Sequence, residues 1–131
     1  MTNAELRQTL ISHIPQAYLV LRDNEYTVPK LEEVKKLLKE TFFEKYQYRA
    51  ESFDCDDFAL ILDAFVKQEA YKQGWKRSWT FGQAYGIFPD FSPEFHARNI
   101  VLVKEGLYLV EPQLDEVRTI NAKDVINICW M

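Results

Sequence analysis

The run Phe53-Asp54-Cys55-Asp56-Asp57-Phe58-Ala59 is the stretch of this 131-residue chain best equipped for chemistry. It sets a thiol at the first position of an expected helix. Free backbone N–H groups and the positive end of the helix dipole favour the thiolate there, the nucleophilic form of cysteine. Such a nucleophile needs a base to take its proton and a third group to orient that base. The sequence has two histidines. His13 falls at the end of an amphipathic helix and reads as a surface or hydrogen-bonded residue. His96 opens an expected strand after the turn-rich approach Pro89-Asp90-Phe91-Ser92-Pro93, where a working side chain is easily presented. One strand later stands Val110-Glu111-Pro112-Gln113. If strands 96–104 and 107–111 join through Glu105-Gly106, a symmetric turn pairs residue 96 with about residue 115. Glu111 then lies near the same end, a few residues out of register.

Each of these residues has a plainer reading. Asp54 with Asp57 fits a helix cap with an acidic first turn. A lone cysteine at a helix start fits a structural thiol, His96 an edge histidine, and Glu111 a solvated strand end. Their joint order favours chemistry: a helix-start Cys, then a strand His, then a strand acid.

The elements that must position them follow from periodicity. Leu6, Leu10 and Ile14 repeat at helical spacing over 4–14, with Asn3 as a cap and Pro15 as a stop. Tyr18 to Leu21 is a short apolar run that fits a strand or an extended docking segment. Pro29 opens a second helix, with Leu31, Val34, Leu37 and Leu38 on one face, running to about Phe42. The third runs from Asp54 to Gly74 with Phe58, Leu62, Phe65 and Val66 as its stripe. After Gly74 the period changes, and strands are expected over 79–87, 96–104, 107–110, 118–120 and 125–130. Helices first and strands second give an α+β domain, its N-terminal helices packed on one face of a C-terminal antiparallel sheet.

Composition removes several classes. A length of 131 residues, 47% hydrophobic and 15% aromatic, fits one domain over 1–131 with a dense core. A net charge of -4 with no basic run argues against nucleic-acid wrapping. There is no GxxxxGK[ST] or GxGxxG phosphate loop, and Cys55 and Cys129 form neither a CxxC nor a disulfide framework. No basic-then-apolar export signal opens the chain. No apolar run approaches the roughly 20 residues of a membrane span. A cytoplasmic protein with no membrane or nucleic-acid partner is expected.

The block Asp54-Cys55-Asp56-Asp57-Phe58-Ala59, then His96 with Asn99, then Glu111-Pro112-Gln113, resembles the papain-like and transglutaminase-like cysteine peptidase superfamily. It is most similar to the C-terminal protease domain of fungal agglutinins and their prokaryotic relatives. That resemblance covers about 54–113 and implies a papain-like fold. It also implies Cys55 as nucleophile, His96 as general base, Glu111 as orienting acid, and calcium-dependent activity on a peptide or protein substrate. Papain's oxyanion glutamine has no clear counterpart, Gln47 being the nearest. No sugar-binding repeat precedes the domain in this sequence, so lectin activity is not expected to carry over.

Calcium also answers an electrostatic question. Three carboxylates, Asp54, Asp56 and Asp57, oppose a thiolate at Cys55, and a dipole of about half a charge does not offset them. A bound Ca²⁺ would, with oxygen donors. Phe58 and Ala59 exclude an EF-hand loop, so the expected donors come from distant segments: Asp56 or Asp57 with Gln113. The plain alternative is that the acids face water. The expected function is cysteine-dependent hydrolysis of a peptide or amide bond. Two other readings use the same residues: transglutaminase-like acyl transfer, and a non-catalytic binding or assembly module.

Overall fold

The structure, a computed structural model, describes the backbone of residues 1–131 and every side chain except that of Glu44. The first helix, α1 (Asn3–His13), starts at Thr2. The Thr2 hydroxyl accepts the Glu5 N–H and the Glu5 carboxylate accepts the Thr2 N–H, a reciprocal cap. A three-residue strand, β1 (Tyr18–Val20), follows, and then α2 (Leu31–Leu38), which buries Val34, Leu37 and Leu38. The sequence pattern carried α2 to about Phe42. The chain turns earlier because the Glu40 and Thr41 N–H groups bond back three residues, to the Leu37 and Leu38 carbonyls. After a 3₁₀ turn (Phe43–Lys45) comes α3 (Cys55–Lys72), which ends before Gly74 at φ +66°.

Five strands complete the chain: β2 (Phe81–Phe88), β3 (Ser92–Val103), β4 (Gly106–Glu111), β5 (Glu116–Thr119) and β6 (Val125–Trp130). They form one six-stranded sheet with β1, in the order β1-β6-β2-β3-β4-β5. Every pairing is antiparallel except β1 with β6, which run parallel with Leu19 opposite Cys129.

β3 shows how the core is divided. Ile100 and Leu102 join a core with Leu6 and Leu10 of α1, while Val101 and Val103 join another with Val34 and Leu38 of α2 and Leu62 and Val66 of α3. Neighbouring residues of a strand point to opposite faces, so helices cover both sides of this sheet. The continuous apolar run Ile100-Val101-Leu102-Val103 is what a strand buried on both faces requires.

The expected α+β papain-like layout is therefore corrected. The sheet dominates the fold, and it takes an N-terminal strand between α1 and α2. The helices are not gathered on one face. Among the described residues, no helix is long and apolar enough to cross a membrane.

Candidate functional site

Cys55 is the first residue of α3 and is partly exposed. Its helix start is fixed locally, because Asp57 Oδ2 accepts the Asp54 N–H at 3.1 Å. Across the fold, Asn99 pins α3 to the sheet. Its Nδ2 donates to the Ala59 carbonyl at 2.8 Å and to the Gly82 carbonyl at 3.0 Å.

His96 lies in β3 and Glu111 ends β4. Asn99 pairs with Val110, so Glu111 stands one step further on, opposite Arg98 and diagonal to His96. From there His96 Nε2 donates to Glu111 Oε2 at 2.7 Å. Both side chains are buried, at 5% and 2% exposure, so water does not compete for that bond. Phe91 lies parallel to the imidazole at 4.3 Å between ring centres, and Phe88 meets it edge-on at 6.3 Å.

With Nε2 committed to Glu111, Nδ1 is the ring nitrogen left for the thiol. Burial by itself pushes the imidazole pKa down. Hydrogen bonding with Cys55 and Glu111, and the charge on both, outweigh burial and raise it to about 9. His96 is thus an imidazolium at neutral pH, standing beside the thiol. Cys129 is the opposite case: fully buried between β1 and β2, its thiol is pushed up to about 12 by desolvation.

The acids divide their work. Asp54, Cys55 and Asp56 bring their donor atoms within 4.8 Å of one another. The Asp54 carboxyl is raised above the ordinary range, first by its hydrogen bond with the Asp56 side chain and then by desolvation. Two carboxylates in contact suit a hard cation. Asp57 has one oxygen on the helix start, and the Gln113 N–H donates to Glu111 Oε1 at 3.2 Å. His13 is exposed at the end of α1, against the Thr9 carbonyl and the Ser12 hydroxyl. Gln47 is exposed as well.

Sequence reasoning overlooked Arg98, whose Nε donates to the same Glu111 oxygen at 3.0 Å. The signal was the polar pair Arg98-Asn99 inside an otherwise apolar stretch of strand, and polar groups buried there must have partners.

The fold and these residues define a two-sided sheet domain with a thiol, an imidazolium and a carboxylate converging at one helix start. The family described as agglutinin C-terminal matches residues 26–117, and the chain belongs to that family. Two solved structures share the fold. One, described as a PSL1a-E64 complex, is 20% identical with a TM-score of 0.85, covering 100% of this chain and 51% of that one. The other is the Polyporus squamosus lectin bound to Neu5Aca2-6Galb1-4GlcNAc, 19% identical with a TM-score of 0.82, covering 100% and 49%. The chain thus spans about half the length of the structures it matches. No curated protein matches it.

These findings correct the expected function. The family carries an agglutinin name and one of the two structures a lectin name, and none of the three is named as a peptide or amide hydrolase. The expected identity as a thiol protease, with a peptide or protein partner, has no support among them.

Proposed function

We propose that this chain is a binding module of agglutinin-type proteins, and that its ligand sits at the mouth formed by Cys55 and His96. The observation that carries this reading is the buried Glu111–His96 pair, which holds an imidazolium beside a partly exposed thiol. Both ring nitrogens of His96 are engaged, by Glu111 and Cys55, so the ligand this arrangement suits presents an acyl oxygen to the backbone N–H groups at the start of α3, beside the partly exposed thiol. The compounds in the two matching structures, E64 and Neu5Aca2-6Galb1-4GlcNAc, are the first probes. Bound ligand should slow iodoacetamide labelling of Cys55. Unchanged labelling with every probe, together with no heat of binding, would remove the mouth as the binding site.

The convergence itself favours a second reading, acyl transfer. The Cys55 thiolate would attack the carbonyl carbon of an amide, the C–N bond would break, and His96 would give its proton to the leaving amine. An incoming amine would then attack the thioester, return a proton to His96 and release the thiolate. Both readings require a reactive Cys55. Iodoacetamide should label Cys55 at neutral pH and leave Cys129 untouched in the folded chain. Cys55→Ala should abolish labelling while the melting temperature stays near wild type, since the residue is only partly buried. Equal labelling of the two thiols, or a collapse of stability in Cys55→Ala, would make Cys55 structural. Amine incorporation by the wild type but not by Cys55→Ala separates transfer from binding. A working thiol at Cys55 also fits a reducing, cytoplasmic setting.

Calcium belongs to the same proposal. Asp56 with Asp54 or Asp57, and Gln113 as a further oxygen donor, would hold it, and the cation would neutralise acid charge beside the thiol. Calcium should then raise the melting temperature, by RT ln(1 + [L]/Kd) in free energy, and speed alkylation of Cys55. A chelator should reverse both. Asp56→Asn should blunt the response. Identical alkylation rates with calcium and with chelator, at fixed ionic strength, would mean that the acids serve only the cap and the surface.

A further inference from the structure

We infer that Arg98 is a positioning residue, which fixes Glu111 and through it the His96 ring that faces Cys55. This rests on the reading of Cys55 and His96 as the working pair.

Glu111 Oε2 receives two donors, His96 Nε2 at 2.7 Å and Arg98 Nε at 3.0 Å, and Oε1 receives the Gln113 N–H at 3.2 Å. Without Arg98 the carboxylate would have one side-chain partner and could turn about its last bond. With it, one oxygen is held between two cations.

Arg98 is itself immobilised. Its NH1 and NH2 reach Asp90 Oδ1 and Oδ2 at 3.3 and 3.1 Å. Its guanidinium lies 5.0 Å from the Phe88 ring centre and 5.5 Å from that of Phe91. Phe91 is the ring stacked on His96, so the guanidinium and the imidazole pack against the same aromatic side chain. The Arg98 side chain is 3% exposed, yet each of its three guanidinium nitrogens has a carboxylate partner.

The anchor continues outward. Arg118 donates to both oxygens of Asp90, at 3.1 and 2.7 Å, and to both oxygens of Asp124, at 2.7 and 2.8 Å. Arg118 is the main reason that Asp90 titrates low, at about 2, so the anchor stays charged at any working pH. Asp124, Arg118, Asp90, Arg98, Glu111 and His96 thus form one unbroken chain of charged contacts from the β5–β6 loop to the thiol. A guanidinium is needed at the middle of that chain, because its planar fork serves two carboxylates in different directions. A lysine ammonium keeps the charge but not the fork.

The test is Cys55 alkylation as a function of pH in wild type, Arg98→Lys, Arg98→Met and Asp90→Asn, with melting temperature in parallel. Arg98→Met should lower the neutral-pH rate by about tenfold or more, as loss of an outer partner commonly does. It should also move the acid limb of the profile, because the charge held against Glu111 is gone. Arg98→Lys should restore the limb but only part of the rate. Asp90 is exposed, so Asp90→Asn should leave the fold in place. It should lower the rate without moving the limb, because the arginine charge remains and only its anchor is lost.

A merely structural Arg98 would lower the melting temperature and leave both limb and rate of the folded protein unchanged; that result overturns the proposal. If Arg98→Met does not fold, the profile of Asp90→Asn decides alone, and a wild-type profile there overturns it too. A wild-type Cys55 no more reactive than the same thiol in the urea-unfolded chain would instead overturn the reading of the working pair, and the role of Arg98 with it.

Discussion

Raising the pH through the titration of His96 should remove about 3 kcal/mol of folding stability. The imidazole titrates near 6.5 in the unfolded chain and near 9 in the folded one. Below the first value both states carry the proton, and the folded state has the full benefit of the contacts with Cys55 and Glu111. Above the second value neither state is protonated and the benefit is gone. Stability should therefore fall as pH rises through this window, and most steeply in its middle, where the folded chain holds a proton that the unfolded chain has released. Urea unfolding at several pH values, for wild type and His96→Gln, isolates the contribution from the lysines and tyrosines that titrate nearby. Curves for the two proteins that run parallel from pH 6.5 to 9 would mean that His96 is not the imidazolium described here.

The second large effect comes from a residue without a side chain. A Cβ on Gly86 would lie 1.8 Å from the Val125 carbonyl oxygen and 3.0 Å from the Ile126 Cα. All the obstructing atoms are backbone, so no flexible side chain can yield. β2 and β6 approach each other too closely there for any L side chain, and Gly86→Ala must push the strands apart. A loss of about 3 kcal/mol is expected, the upper part of the usual range for overpacking. Gly74→Ala supplies the contrast. That glycine has a positive φ and nothing within 4 Å of the added carbon, so its cost is backbone strain of about 1 kcal/mol. Gly86 also pairs with His96 across β2 and β3, so a displaced β2 should slow Cys55 alkylation as well. Denaturant midpoints that rank Gly74→Ala as the more damaging change would contradict the close approach.

The parts of this molecule that could be read in its sequence are those set by local pattern. The Asp54–Gly74 helix signal comes within two residues of the observed Cys55–Lys72 at its C-terminal end, because cap, stripe and terminating glycine all lie within one stretch of chain. The sequence also singled out Cys55, His96 and Glu111. Their mutual distances depended on hairpin register, which local pattern specifies poorly. A turn centred on Glu105-Gly106 would pair His96 with about residue 115. In fact Val103 pairs with Gly106, which slides β4 by two residues and brings Glu111 opposite Arg98. The slide is an even number, so Glu111 keeps its face and reaches His96 diagonally. The partnership of β1 with β6 could not be read, since three residues carry no period and their partners lie 110 positions along the chain. The two-sided core was missed for a related reason. A continuous apolar run identifies a strand buried on both faces, but it does not say which helix takes which face.

The closing of the sheet by β1 and β6 also orders events in time. One core, built on α2, α3, Phe81, Val101 and Val110, draws on nothing beyond Val117, nearly the span 26–117 that the family shares. The other needs Ile126, Cys129 and Met131 packed against Leu6 and Leu10. Met131 is fully buried, its N–H bonds the Val20 carbonyl, and its own carbonyl takes the Arg22 N–H and the Tyr26 hydroxyl, the last from 105 residues away. A chain leaving the ribosome can thus bury one side of its sheet while the other still waits for Ile126, Cys129 and Met131. α1 is made before the strands it covers and docks after β6 is in place, and until it docks the apolar face of Ile100, Leu102 and Leu109 stays open to water or to a chaperone.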